Sequence, residues 1–169
     1  MDYLPWNQNI WEVITKQFSS GRNPHALLLY GSSGLGKRAF AENLSSLLLC
    51  KAPTKNKYCG RCKSCALKKS GTHPDFRMVS PEDSLQIKID QIRELNRWSV
   101  QTAQQGGYKI AIIFPSEQMS SQSANALLKS LEEPAPKTLF ILISDKVSSI
   151  LPTVRSRCQS FLFNNPKHT

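Results

Sequence analysis

The sequence predicts an α/β fold: a parallel sheet flanked by helices, carrying a small cysteine-rich insert. Three observations predict it. Apolar runs of strand length alternate with stretches of helical period from end to end. A glycine-rich loop joins the first of those runs to a helix, the setting of a phosphate-binding P-loop. Four of the five cysteines lie in or beside one basic segment that interrupts the alternation. A length of 169 residues suits one domain, and a hydrophobic share of 40% is enough to close a single core.

The elements follow in order. Residues 8–19 place Ile10, Val13, Ile14 and Phe18 at helical spacing and stop at Gly21. His25-Ala26-Leu27-Leu28-Leu29-Tyr30 reads as a strand, and over residues 37–50 Phe40, Leu44, Leu47 and Leu48 share a helical face. After the insert, residues 50–72, a short strand is expected over 76–79. Ile89, Ile92, Leu95, Val100 and Ala103 mark a helix ending near Gly106-Gly107. Residues 108–114, the most continuous apolar run, read as a central strand buried on both faces. Residues 120–133 form the next helix, with Ala124, Leu127, Leu128 and Leu131 inward and Pro134 ending it. A strand over 139–143, a short helical piece over 148–156 and a last strand over 160–163 complete one domain spanning 1–163, with 164–169 as the start of a linker or the end of the piece.

No stretch approaches the roughly 18 apolar residues of a membrane span, and Met1-Asp2-Tyr3 opens neither the basic nor the apolar region of a signal peptide. The expectation is a soluble cytoplasmic protein without membrane partners. The formal net charge of +10 is local: residues 51–69 hold Lys51, Lys55, Lys57, Arg61, Lys63, Lys68 and Lys69 and no acid. Such a patch suits phosphate neutralisation or simply a solvated loop.

Gly31-Ser32-Ser33-Gly34-Leu35-Gly36-Lys37 meets the Walker A pattern between a strand and a helix. Gly31, Gly34 and Gly36 let backbone N–H groups face phosphate oxygens, and Lys37 is the side chain that reaches the β- and γ-phosphates. The next residue of the motif, Ser or Thr, ligates Mg²⁺; here it is Arg38, which repels a cation. The strand that should end in a Walker B carboxylate ends in Phe114-Pro115-Ser116-Glu117, and Glu117 could substitute only if the turn doubled back. These two losses argue against hydrolysis. They leave either a structural relic of the loop or weak nucleotide binding, with Gly31, Gly34, Gly36 and Lys37 as a vestigial site.

Cys59-Gly60-Arg61-Cys62-Lys63-Ser64-Cys65, with Cys50 upstream, has the C-x₂-C turns that wrap a tetrahedral zinc. A structural site of Cys50, Cys59, Cys62 and Cys65 is expected, with His73 as the competing fourth ligand. Four protein ligands leave no open position for catalysis, so the zinc would staple an otherwise coreless basic loop. Cys158 stands apart and reads as core packing. Glu132 and Glu133, with Lys129 four residues before Glu133, read as a solvated ion pair at a helix end rather than an acid/base pair.

Together these segments resemble a family. His25-Ala26-Leu27-Leu28-Leu29 before the phosphate loop, the cysteine insert after its helix, Asn125-Ala126-Leu127-Leu128-Lys129-Ser130-Leu131-Glu132-Glu133-Pro134, and Ser156-Arg157-Cys158 closely resemble the bacterial clamp-loader subunits of DNA polymerase III. The resemblance implies an AAA+ P-loop NTPase-like fold. Family members continue into a helical lid and a collar that assembles five subunits in a ring; neither is expected within these residues, so the resemblance implies an N-terminal portion. Arg38, Phe114 and the opening Leu4-Pro5-Trp6 resemble the non-hydrolysing delta-prime branch rather than the gamma and tau motors.

The implied function is that of a stator-like subunit in a hetero-pentamer with gamma/tau and delta, acting through that complex on the sliding clamp and primed DNA as part of the DNA polymerase III holoenzyme, with structural zinc and weak or absent ATP binding. By itself Arg157 reads, like Arg155, as a cation paired with a surface acid. The resemblance makes Arg157 an arginine finger that reaches the γ-phosphate of ATP on a neighbouring gamma or tau subunit. The alternatives are an ATP-hydrolysing gamma/tau-type motor and a zinc-stapled nucleic-acid module, the latter with only Tyr58 in its insert to stack on bases.

Overall fold

The structure is a computed structural model that describes residues 7–164. The Leu4-Pro5-Trp6 opening and residues 165–169 lie outside the described residues. Five parallel strands, β1 Ala26–Tyr30, β2 Phe76–Val79, β3 Lys109–Ile113, β4 Thr138–Ser144 and β5 Gln159–Leu162, lie in the order β2-β3-β4-β1-β5. The expected parallel α/β sheet is therefore present, and the 108–114 run supplies β3, an interior strand between β2 and β4; β3 and β4 are both buried at every position. Helices α1 Gln8–Ser19, α2 Lys37–Leu49, α3 Lys63–Ser70, α4 Ile89–Ser99, α5 Ser121–Glu132 and α6 Pro152–Arg155 supply the crossovers and the insert. Among the described residues no helix is long and apolar enough to cross a membrane.

Alternation along the strands splits the core into two layers. Leu27, Leu29, Ile110, Ile112, Leu139, Ile141 and Ile143 face α1 and α2, whose Trp11, Ile14, Phe40 and Leu44 cover them. Leu28, Ala111, Ile113, Phe140 and Leu142 face the side closed by Ile92, Leu95, Trp98, Leu127 and Leu131 of α4 and α5. Phe40 meets Trp11 and Phe163 edge to face, at centroid distances of 5.4 and 5.2 Å.

Several details depart from the pattern reading. Val13 is exposed, and Trp11 takes the buried place on α1 beside Ile14. The 148–156 piece divides into a 3-10 turn at Val147–Ser149 and α6, because Pro152 sits at the helix start. Helix α4 stops at Ser99, well short of Gly106-Gly107, and Val100 is 69% exposed. The cause is Lys109: its buried ammonium donates to the carbonyls of Trp98 and Gln101 and lies 4.4 Å from the Trp98 ring centre, capping α4 from the adjoining strand. Burial lowers the Lys109 pKa, and the Asp75 carboxylate opposes that lowering. Lys109→Met is expected to take the side-chain donor from the Gln101 carbonyl, while the Trp98 carbonyl keeps the Gln101 N–H at 3.2 Å, and to cost about 1–3 kcal/mol, read as a lower urea midpoint at unchanged slope.

Candidate functional site

Strand β1 delivers the chain to the phosphate loop and α2 carries it away, so the loop sits at the carboxyl ends of β1 and β4, where ligands of open α/β sheets bind. Gly31 has a φ of 142° and a Cβ there would lie 2.3 Å from the Phe163 carbonyl oxygen; only glycine lets the last strand close against the loop. Gly36, at φ 80°, turns the chain into α2. Asn7 secures the loop from outside, donating to the Leu35 carbonyl at 3.1 Å.

Lys37 does not extend into open space. It is buried, and its ammonium donates to the carbonyls of Gly31 (2.6 Å) and Ser32 (2.7 Å) and pairs with Asp145 at 2.8 Å. The lysine that would meet phosphate is thus saturated by its own loop and by the residue just past β4. Asp145 escaped the motif reading because it belongs to no Walker pattern. Its signal is positional: the first acid beyond the strand paired with β1, on the ligand-binding edge of the sheet.

The two departures from the Walker motifs touch each other. Arg38, standing where the magnesium ligand belongs, has its guanidinium carbon 5.8 Å from the centre of the Phe114 ring, which stands at the tip of β3. The motif position of the magnesium-ligating hydroxyl thus carries a cation, and that of the carboxylate at the strand tip an apolar ring, and the two lie together. The turn beyond Phe114 does carry Glu117 back toward the site: in a 3-10 turn, Ser116–Gln118, its carboxylate accepts from the Asp145 backbone N–H at 3.2 Å. This carboxylate reaches the tip of β4, not the position beside Arg38 by any contact.

The sulfur atoms of Cys50, Cys59, Cys62 and Cys65 all lie within 4.8 Å of one another. Tetrahedral zinc with sulfur at about 2.3 Å needs edges of about 3.8 Å, and the Cys59–Cys65 separation is 3.9 Å. Backbone N–H groups of Ala52 and Cys59 point at Cys50 Sγ, those of Arg61 and Cys62 at Cys59 Sγ, and those of Lys51 and Cys65 at Cys62 Sγ. Such donors favour thiolate, the metal-binding form. They draw the Cys59 pKa down; at Cys62 they outweigh burial, which opposes ionisation, and bring it to about 6. Burial pushes the Cys65 thiol up to about 12. The donor set is therefore one that suits a structural zinc.

His73 has no free nitrogen for the cluster. Its Nδ1 accepts from the Asp75 N–H at 3.0 Å, and its Nε2 lies 2.6 Å from Ser64 Oγ. With Nδ1 an acceptor, a neutral ring carries its proton on Nε2 and donates it to Ser64. Ser64, His73 and Asp75 are all buried, and the Asp75 carboxylate accepts from the N–H groups of Gln104 and Gln105, so the trio is a clasp and not a nucleophile relay. Burial lowers the His73 pKa, in keeping with the neutral ring.

The insert is less loop-like than expected, because α3 runs through it from Cys62, whose sulfur caps the helix by accepting from Cys65 N–H. Lys51 donates to the Gln105 carbonyl and Lys68 lies 4.3 Å from the centre of the Phe76 ring, so two of the insert's cations anchor it to the domain.

Arg157 follows α6 at the start of the turn into β5. One terminal nitrogen, Nη2, is 2.6 Å from Glu132 Oε1, and the other, Nη1, donates to the Thr153 carbonyl at 2.8 Å and to Ser156 Oγ at 3.3 Å. The ion pair at the end of α5 thus joins Glu132 to Arg157, where the helix pattern had suggested Lys129 with Glu133.

The chain matches the model of the family described as DNA polymerase III, delta subunit, over residues 6–167. It is 46% identical over 158 residues to the DNA polymerase III subunit delta' of Pseudomonas aeruginosa, covering 93% of this chain and 47% of that protein. The delta' subunit of Escherichia coli is 36% identical over 160 residues, at 94% and 48% coverage. The chain spans about half the length of the curated relatives it matches. Among solved structures, a gamma subunit-related protein of DNA polymerase III from Thermotoga maritima superposes with a TM-score of 0.69 at 24% identity, covering 95% of this chain and 46% of its own. The RuvB Holliday junction branch migration motor of the same organism superposes at 0.55 and 13%, covering 96% and 45%. The fold is thus the AAA+-type α/β fold, and the chain belongs to the DNA polymerase III delta-subunit family.

Proposed function

We propose that this chain serves as the non-hydrolysing, stator-like delta' subunit of the DNA polymerase III clamp loader, assembled with gamma/tau and delta subunits to load the sliding clamp on primed DNA. Family membership and the delta' relatives support the assignment. The observation that supports its non-hydrolysing character is the approach of Arg38, at the motif position of the magnesium ligand, to Phe114, beside a Lys37 already engaged by two carbonyls and Asp145. Nucleotide must displace those partners to gain the lysine, so binding is weak or absent and in-line attack lacks its metal.

In this reading Arg157 acts outward. It lies half-exposed on the turn after α6, and a guanidinium supplied in trans to the γ-phosphate of ATP on a neighbouring gamma or tau subunit stabilises the charge that grows as the phosphoryl group leaves. Zinc on Cys50, Cys59, Cys62 and Cys65 holds the insert and takes no part in that chemistry.

One observation favours the motor reading instead: Glu117 folds back to the tip of β4 beside Asp145, where a carboxylate could serve a metal. ATP hydrolysis by the purified protein with Mg²⁺ separates the two. It is expected to be indistinguishable from buffer; turnover that disappears in Glu117→Gln would replace the stator with a motor.

A further inference from the structure

We infer that Glu132 is an internal counter-ion that holds Arg157 in reserve and yields it to a nucleoside triphosphate presented by a neighbouring subunit. The inference rests on the arginine-finger reading above. It begins with the donors of the guanidinium. Both terminal nitrogens of Arg157 are engaged within the chain, Nη2 by Glu132 and Nη1 by the Thr153 carbonyl and the Ser156 hydroxyl. A carboxylate oxygen 2.6 Å away takes one of the guanidinium donors that a phosphate oxygen would accept from and cancels the charge a phosphate would seek.

The pair is placed to be exchanged. Glu132 is the last residue of α5, a helix seated on the core through Leu127 and Leu131, so its carboxylate has a fixed station. That station is the helix C-terminus, where negative charge is disfavoured and Arg157 supplies the compensation. The side chains remain 34% and 47% exposed for Arg157 and Glu132, so water and an incoming anion reach the pair. An exposed pair of this kind is weak, and a polyphosphate carrying several charges outcompetes a single carboxylate. Glu132 therefore sets a threshold: Arg157 leaves it for a γ-phosphate and stays for water or a lone monoanion. Thr153 and Ser156, on α6 and its C-cap, keep the guanidinium at the surface during the exchange.

The test uses the reconstituted clamp loader with the full-length subunit and ATP as the probe. In Glu132→Gln the apparent KM for ATP at the adjoining site is expected to fall about two- to fivefold, the reach of one exposed ion pair, with kcat unchanged. Adding Arg157→Ala should erase that gain, and Glu132→Asp, which keeps the charge, should stay near the parent KM; matched melting temperatures show that each variant is folded. An unchanged or higher KM in Glu132→Gln, while Arg157→Ala still slows hydrolysis, overturns the counter-ion role and leaves the finger standing. If Arg157→Ala itself changes neither KM nor kcat, the counter-ion role and the finger fall together.

Discussion

Stripping the metal from the four-cysteine cluster, or replacing Cys62 with Ser, is expected to melt residues 50–72 while the sheet stays folded. The insert has little else to hold it. Helix α3 has eight residues, too few to persist alone in water, and of its residues only Ser64 and Cys65 are buried. Among the described residues its other ties include the packing of α3 on α2, the Ser64–His73 hydrogen bond, the Lys51–Gln105 contact and Lys68 over Phe76, the last three each worth about 1 kcal/mol or so. Structural zinc at such sites contributes about 10–16 kcal/mol at neutral pH, which exceeds the sum of those three. The sheet draws its two core layers from strands and helices outside the insert and does not depend on it. Metal analysis of protein prepared under reducing, chelator-free conditions should find one zinc per chain. Hydrogen exchange should show Lys63–Ser70 amides losing protection on chelation while those of β3 and β4 keep theirs. Protein without zinc, or an α3 equally protected with and without chelator, would contradict the metal assignment.

What the sequence disclosed, and what it withheld, divides by the kind of force involved. The buried strands were legible because a strand covered on both faces must be apolar throughout, and Lys109–Ile113 and Thr138–Ser144 are buried at every position. The phosphate loop and the cysteine ligands were legible because short spacings dictate local turns. Helix α3 was not, since it is opened by a cysteine cap and carries no apolar period. The early end of α4 was hidden for a related reason: the cap is a lysine from another strand, and the pattern through Val100 and Ala103 carries no trace of it. Partners brought together by the sheet escaped as well. Asp145 meets Lys37 only because β4 lies beside β1, and Glu132 meets Arg157 only because α5 packs on α6. In both cases the missing partner is an acid contributed by an element distant from its cation in sequence.

Replacing Arg157 with Ala is expected to slow ATP hydrolysis at the adjoining gamma or tau site by about a thousandfold or more, the usual cost of losing an arginine finger. Clamp loading that depends on that turnover should fall with it. The chain itself should barely notice: an ion pair whose members are 34% and 47% exposed contributes about 1 kcal/mol at most, and the buried Val154 that seats α6 is untouched. That contrast, a large loss in a neighbour's chemistry with an unchanged melting temperature, distinguishes a residue acting in trans from one that holds its own fold. Lysine should not rescue, because a single ammonium lacks the planar fork that grips two phosphate oxygens. Arg155→Ala is the matched control, a nearby exposed cation with the same charge and no finger role. Single-turnover hydrolysis in a complex whose only competent ATP site adjoins this subunit gives the cleanest reading, since other sites would otherwise mask the loss. Equal rates for Arg157→Ala and the parent would reduce Arg157 to the surface partner of Glu132, and this subunit's part in loading would then rest on its contacts alone.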